Sequence, residues 1–428
     1  MTPDPSTVTS RRQFLQSGAM VGGALALPYF LPASALGRDG AVAPSEKITL
    51  GAIGIGNRGS YDLGCMLQET DLRCVAVCDV RKERREAAKR TVDAKYGNQD
   101  CAIYQDFREL LARPDIDAVL IATGPNWHAL ASVMAAKAGK DVYCEKPCTK
   151  NIAESLILAE TFRRTGRVFQ AGTQRRNVPN FIFAADLARS GKLGKLKTLY
   201  AHPCGLETGS TGWSAEQPDP GKEVVDWDMY LGPAAWRPFH DSYLAPGGFF
   251  ERGGGLTGCG CMEWGSHTVD LCQWANNADL TSAVEYWQDG NRLCARYANG
   301  VQLVMRDDGW LKSGTCPVRF EGENGWVETG DDGNIFGSDL VTEIRKNPNR
   351  SKAVANSHVR DFLDAVRSRR QPRANASVAC QSHITCHAAN AAKFLGRKLT
   401  FDPVKNEFIG DPQANRLRSE ALREPWRI

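Results

Sequence analysis

Residues 49–60 read TLGAIGIGNRGS, which places Gly54, Gly56 and Gly59 at the spacing of a dinucleotide-binding turn, with Asn57 and Arg58 inside it. Glycines there let the backbone approach a pyrophosphate, whose charge is met by the N–H groups that open the next helix. An acid, Asp79, follows 20 residues after Gly59. A carboxylate at that place accepts both ribose hydroxyls and repels a 2′-phosphate, so the pattern favours NAD over NADP. Arg81, two residues on, offers a stacking face for adenine or, alternatively, a partner for that phosphate. A second group stands far along the chain, in MEWGSHTVDLCQW. Glu263 and His267 are four residues apart and share a face if the segment is helical, and Asp270 lies near the same face. An imidazole titrates near neutral pH and can receive a hydroxyl proton. The alternative for His267 is a satisfied core histidine. Hydride removal from a carbinol needs such a base, together with a positive group on the oxygen.

These residues need a frame. KITLGAIGIG reads as a buried strand, Asn57 to Gln68 as a helix, LRCVAVCD as a second strand and KERREAAKRTVDAKYG as a helix ending at Gly97. IDAVLIAT and KDVYCEKP follow as strands around a helical NWHALASVMAAKAGK. Strands alternating with helices predict a parallel, doubly wound α/β sheet of the Rossmann type. Beyond it, KLKTLYAHP, TSAVEYWQD, NRLCARYANG, VQLVMRDD and VRFEGENGWVETG are short β-rich runs punctuated by Gly, Asn and Asp. Helical NSHVRDFLDAVRSRR and ACQSHITCHAANAAKFLG come near the end. The expected organisation is a leader over 1–35, a linker over 36–47, a nucleotide-binding domain over 48–172 and an α+β domain over 173–428.

Composition sets outer limits. A chain of 428 residues, 42% apolar and 24% charged, suits a soluble enzyme of two or three domains. The net charge of +4 is scattered, with no basic stripe, which excludes a nucleic-acid partner. Paired Arg11–Arg12, a short apolar stretch and Ala33-Ser34-Ala35 read as a cleaved twin-arginine leader rather than a membrane anchor. The stretch is diluted by Gly, Ser and Pro and is short for a span. Export to the periplasm is therefore expected, by a route that carries folded proteins. Fourteen cysteines do not form a dense disulfide framework. Cys74 and Cys78, four apart on a strand, are expected to pack on one face as small hydrophobes. Cys259 and Cys261, and the His383, Cys386, His387 set, have too few spaced ligands for a metal centre, and structural roles are the better reading.

In VYCEKP, Glu145-Lys146-Pro147 after a strand resembles the Gfo/Idh/MocA family of NAD(P)-dependent oxidoreductases. GAIGIGNRG, IATGPNWHA, CEKP, QAGTQRR, EWGSHTVDLCQW and GRKLTFDP carry the likeness in order over roughly residues 48–428, and WDMYLGPAAWRPF adds a likeness to a secreted twin-arginine branch. The resemblance implies a second domain with a large, mostly antiparallel open sheet, and a homo-oligomer built through it. It implies that Glu145 and Lys146 bind the cofactor, with Lys146 also holding the reacting oxygen beside the nicotinamide, and that His267 is the general base. Glu263 stands where dehydrogenase members usually have Asp, so its longer arm is read as orienting substrate or His267. Thr123, Asn126 and His128 fall where such chains pass the cofactor ribose. Gln174 and Arg175 are candidates for the substrate mouth, the alternative being a solvated arginine pair, and Asp270 is a further substrate candidate. Trp227, Tyr230 and Trp236 offer sugar-stacking faces or fill a core. The implied activity is hydride transfer between a tightly bound NAD and a sugar, polyol or glycoside hydroxyl. The alternative is an NAD-dependent glycosidase, α-N-acetylgalactosaminidase-like, working by transient oxidation at C3 and elimination. A non-catalytic sugar- or nucleotide-binding protein is the third reading, which the presence of Lys146 and His267 disfavours.

Overall fold

The strand runs of the first half are apolar on both faces, as strands covered by helices on either side must be. In the computed structural model, β1 (Ile48–Ile53), β2 (Leu72–Cys78), β3 (Ala102–Tyr104), β4 (Ala118–Ile121), β5 (Asp141–Cys144) and β6 (Phe169–Ala171) form one parallel sheet in the order β3-β2-β1-β4-β5-β6. Helices α1 (Asn57–Met66), α2 (Lys82–Tyr96), α3 (Phe107–Leu111), α4 (Pro125–Lys137) and α5 (Ile152–Thr165) make the crossovers. The strand order reverses between β1 and β4, and a ligand crevice opens at the strand ends of such a switch point. The structure describes residue 43 and residues 46–203, 205–206, 214–245, 261–346 and 357–428. The leader at 1–35, Cys204 and Cys259 lie outside the described residues. Ile48–Ile428 forms one compact unit.

The second half opens with α6 (Pro179–Arg189) and builds a nine-stranded sheet. Its strands are β7 (Leu196–Ala201), β8 (Glu285–Asp289), β9 (Arg292–Arg296), β10 (Gln302–Met305), β11 (Val318–Gly322), β12 (Trp326–Thr329), β13 (Ile335–Gly337), β14 (Leu399–Asp402) and β15 (Glu407–Phe408). They lie in the order β13-β12-β11-β7-β10-β9-β8-β14-β15, and only the β7–β10 pair is parallel. The other helices are α7 (Trp227–Leu231), α8 (Cys261–Ala275), α9 (Asp339–Lys346), α10 (His358–Ser368), α11 (Ala376–Leu395) and α12 (Pro412–Arg416). The two sheets match the expected class, an α/β Rossmann half and an α+β half with a mostly antiparallel sheet.

Two late helices return to the first sheet. Phe362 and Val366 of α10 pack with Leu63 and Val92 on one of its faces. On the other, Ala379 and Cys380 of α11 join Leu130 and Leu158, while Ile384, Ala388 and Ala392 farther along α11 enter the core of the second half. One helix thus ties both cores together, and α8 lies alongside it.

The expectation for Cys74 and Cys78 is corrected by a β-bulge. Cys74 pairs with Leu50 but Ala76 pairs with Gly51, so one extra residue flips the side-chain alternation. Cys74 packs with Leu50 and Leu63, whereas Cys78 packs with Ile53 and Phe107 in the other cluster. All twelve described cysteines are free thiols.

Candidate active site

The glycine turn joins β1 to α1. Gly54 has φ of 77°, and a Cβ on it would lie 2.5 Å from the Thr123 backbone nitrogen. A Cβ on Gly59 would meet the Gly54 carbonyl at 2.5 Å, so both must be glycine for the helix to start here. Gly56 faces open space and is the N-cap of α1, and no side chain caps the first N–H groups. Those donors are free for an anion. A cavity of about 330 Å³ opens beside them, lined by Gly54, Gly56, Asp79, Arg81 and Thr123 among others. These features fit a dinucleotide.

Asp79 ends β2 with one carboxylate oxygen accepting the Arg81 N–H at 2.8 Å, and burial pushes its acid up to about 6. It is ionised at neutral pH. The Arg81 side chain is paired with Glu83 and donates to the Leu244 carbonyl at 3.0 Å. Asn57 accepts from Arg84, a cavity residue with no signal in the sequence beyond its place on a charged helix. Asn126 lines the cavity while its amide donates to the carbonyls of Tyr230 and Leu231 at 3.1 and 2.8 Å. His128 corrects its expectation. Its Nδ1 lies 2.7 Å from the Pro147 carbonyl and its Nε2 2.9 Å from the Thr123 carbonyl, so no ring nitrogen is left for a cofactor. It braces the Thr123 turn against the Lys146-Pro147 segment instead.

Glu145 is buried and saturated. Arg58 Nε and Gln174 Nε2 donate to its Oε1 at 3.1 and 2.6 Å, and the Lys146 N–H donates to Oε2 at 3.0 Å. It therefore positions Lys146 through the backbone. Gly172 makes room for it, since a Cβ there would lie 2.4 Å from Oε1. Asp62 on α1 pairs with Arg58 at 2.9 Å, and burial beside Glu145 pushes its acid up to about 8.

Lys146 Nζ donates to the Glu263 carbonyl at 2.8 Å and to its Oε1 at 2.7 Å, and lies 5.1 Å from the Trp264 ring centre. On the next turn of α8, His267 is 2% exposed and its Nε2 is 3.0 Å from Arg175 Nη1. A guanidinium only donates, so Nε2 carries the lone pair and the ring is neutral. Burial, reinforced by the charges of Arg175 and Lys146, holds its pKa well below 6.5. Nδ1 is buried with no partner among the described residues. Asp331, distant in sequence and carrying no local signal, fixes Arg175 through two bonds of 3.0 and 2.6 Å. Trp264, which has Lys146 and Arg175 within 6 Å of its ring centre, carried one signal in the sequence, its place three residues before His267.

Of the substrate candidates, Gln174 and Arg175 reach this cluster, but Asp270 does not offer a free carboxylate. It is 1% exposed and Arg176 holds both its oxygens, at 2.5 and 2.9 Å. That buried pair anchors the turn carrying Arg175 to α8, so the solvated arginine pair is not found. Trp227 and Tyr230 stack on each other, with ring centres 5.1 Å apart, while Trp236 alone of the three is well exposed. His383 and His387 are buried at α11, His383 accepting from the Cys148 N–H at 2.9 Å. Among the described residues, no three His, Cys, Asp or Glu gather as a metal site.

An oxidoreductase-family model for the NAD-binding Rossmann fold matches residues 48–173, and the family's C-terminal alpha/beta domain matches residues 208–428. The chain belongs to the Gfo/Idh/MocA oxidoreductase family. Myo-inositol 2-dehydrogenase of Thermotoga maritima is 30% identical over 150 residues, 35% of this chain and 43% of that protein. A glycosyl hydrolase family 109 protein of Shewanella is 28% identical over 213 residues, 45% of this chain and 46% of its own. The matches thus span less than half the length of these relatives. Among solved structures, the WlbA dehydrogenase of Bordetella pertussis, in complex with NADH and UDP-GlcNAcA, aligns with a TM-score of 0.57 at 16% identity over 83% of this chain and 99% of that one. The aldose-aldose oxidoreductase of Caulobacter crescentus gives 0.57 at 17%, over 83% and 100%. At such identity these two show the fold.

Proposed function

We propose that this family member is an exported enzyme that uses a retained NAD to take hydride from a hydroxyl of a sugar, polyol or glycoside. The observation carrying this reading is the grouping of Lys146, Glu263, Trp264, Arg175 and neutral His267 from three segments: the stretch after β5, the turn after β6, and α8. Gly54, Gly56, Asn57, Arg58, Gly59, Asp79 and Thr123 would hold the dinucleotide, with Asp79 favouring NAD. When bound, the nicotinamide supplies the hydride acceptor.

The protein's own residues handle the proton and the oxygen. The Lys146 ammonium binds the substrate oxygen and stabilises negative charge growing on it. Glu263 holds that ammonium in place. The substrate O–H takes the position of the Arg175 N–H at His267 Nε2 and delivers its proton there. Trp264 gives an apolar face for the C–H side of a sugar ring. Arg11–Arg12 and the segment after it support export by the twin-arginine route, after which the cofactor must stay bound. A homo-oligomer is supported by a ladder on the second sheet, where Arg319 lies 4.8 Å from the Trp310 ring and 3.6 Å from the Trp326 ring and Trp310 is 37% exposed.

The long match to the glycosyl hydrolase relative supports a second reading, an NAD-dependent glycosidase that begins with the same proton transfer. One experiment separates them. The protein is purified gently, its nucleotide identified by mass spectrometry, and it is then mixed with polyols or aryl glycosides without added cofactor. Reduction of the bound nicotinamide by a polyol, with no phenol released, is the expected result. Phenol release without net reduction selects the glycosidase, and absence of any nucleotide overturns both readings.

A further inference from the structure

The outer wall of the Rossmann cavity comes from the other half of the chain. Met229, Tyr230, Leu244 and Ala245 line it opposite the glycine turn. They belong to a strap over residues 221–245 that is sewn to the segment just after β2. Val225 forms an antiparallel bridge with Arg81, the Lys82 N–H donates to the Val224 carbonyl at 2.9 Å, and the Asp226 N–H donates to the Val80 carbonyl at 3.1 Å. Side chains add to the seam. Gln105 donates to the Lys222 carbonyl at 2.8 Å, and Trp127 Nε1 to the Met229 carbonyl at 2.7 Å.

The strap is latched from behind by the chain's last residues. Arg423 Nε donates to the Gly232 carbonyl at 2.9 Å, its Nη2 to the Asp228 carbonyl at 2.7 Å, and its backbone N–H to the Pro233 carbonyl at 3.0 Å. Gly232, at φ of 52°, lies flat on Trp127, where a Cβ would come within 2.2 Å of the ring. Trp426 meets Trp127 edge-on, with ring centres 4.7 Å apart. None of this touches Lys146 or His267, so the latch is separate from the chemistry.

We infer that the strap completes the adenosine subsite and that the Arg423 latch sets how fast a dinucleotide leaves. The inference rests on the dinucleotide reading of the cavity. Asp79 and Arg81 place the ribose and adenine end at the strap, because the pyrophosphate end belongs to the Gly56 N-cap. Release of the adenosine half then requires the 221–245 seam to open.

The test measures retention rather than turnover. Full-length protein and Arg423→Ala are loaded with NADH, and its loss into excess NAD is followed by nucleotide fluorescence. We expect release about tenfold faster in the variant, the factor equivalent to about 1.4 kcal/mol. In the unaltered protein, first freed of any retained nucleotide, amide hydrogen exchange over 222–232 is measured with ADP-ribose and with nicotinamide mononucleotide. Slowed exchange with ADP-ribose alone is expected, and this arm stands even if the variant fails to fold. Equal release rates in a folded variant, or unchanged exchange with bound ADP-ribose, overturn the latch. Failure of ADP-ribose and NADH to bind at all instead overturns the dinucleotide reading.

Discussion

Replacing Lys146 with Met tests the central step while sparing the fold. Its ammonium makes two hydrogen bonds, of 2.8 and 2.7 Å, both to Glu263. The Lys146 side chain is 14% exposed and that of Glu263 44%, so the lost ion pair is a half-solvated one. Such pairs contribute about 0–1 kcal/mol to stability, and the Met stem keeps the packing against Trp264. The melting temperature should therefore hardly move. Loss of one donor aimed at a developing oxyanion costs about 2.7–4 kcal/mol, or roughly 10²–10³ in the rate of the chemical step. The assay is single-turnover reduction of the bound nicotinamide by a polyol identified in the screen, followed by its absorbance. Nucleotide content is measured on the same sample. The loss should fall on kcat rather than KM, because the interaction grows as charge develops. Arg at this position should not restore the rate, since a planar fork does not reproduce a compact ammonium between Glu263 and Trp264. A Met variant that keeps its nucleotide and reacts within about threefold of the unaltered rate, a barrier change under about 0.7 kcal/mol, refutes the assignment.

Three further outcomes follow from the same geometry. His267 works as a base only when neutral, so kcat/KM is lost as pH falls through its pKa; that pKa lies well below 6.5, so the rate should stay level down through 6.5 and fall only in more acid solution. Arg175→Met removes a cation that lowers this pKa and should move the fall upward, whereas a fall centred at or above 6.5 in the unaltered protein would contradict the role given to His267. Asp79→Ser removes a charge facing the ribose; with about 1–4 kcal/mol between unit charges about 4 Å apart, preference for NAD over NADP should drop roughly 5- to 1,000-fold in a binding titration, and an unchanged ratio would remove Asp79 from the ribose site. Gly172→Ala places a Cβ 2.4 Å from a Glu145 oxygen already held by Arg58 and Gln174, so it should cost about 1–3 kcal/mol in a denaturant melt and slow the reaction through Lys146, and a variant normal in both would show that Glu145 positions nothing.

The parts of the site that could be read from the sequence are those whose signal is local. The Gly54–Gly59 turn, Asp79 at a strand end and the Glu263–His267 spacing each depend on one element and its immediate neighbour. Lys146 needed the resemblance, because a lone lysine after a strand has no distinguishing period. Arg175 and Asp331 are 156 residues apart, and their pairing depends on how the second sheet folds back. Asp270 failed as a substrate residue for a similar reason, its partner Arg176 being 94 residues away. His128 failed because two backbone carbonyls converge on it, and carbonyls carry no sequence label. The strap was invisible for the same reason, since its seam is made largely of backbone groups. Cys74 and Cys78 show the limit of periodicity itself: one bulged residue reversed the face.

Charge balance gives the site a further logic. Lys146 is matched by Glu263, Arg175 by Asp331 and Arg58 by Glu145 and Asp62, while His267 is neutral. Each cation therefore enters the reaction already paired. An uncharged polyhydroxyl ligand can exchange hydrogen bonds with Lys146 and His267 without stranding any of these charges. An anionic substrate would have to displace Glu263 or Asp331 from its cation and leave that carboxylate beside the new one, at the cost of like-charge repulsion in a partly buried place. Under the proposed mechanism, the same balance lets a base of lowered pKa serve here. Protonating His267 beside Arg175 is unfavourable while the proton has nowhere else to go, so the imidazolium is a brief stage rather than a resting state. The arrangement suits a reaction in which the proton is taken up and handed back, as it must be in a retained-cofactor enzyme that oxidises one hydroxyl and then restores its own hydride acceptor.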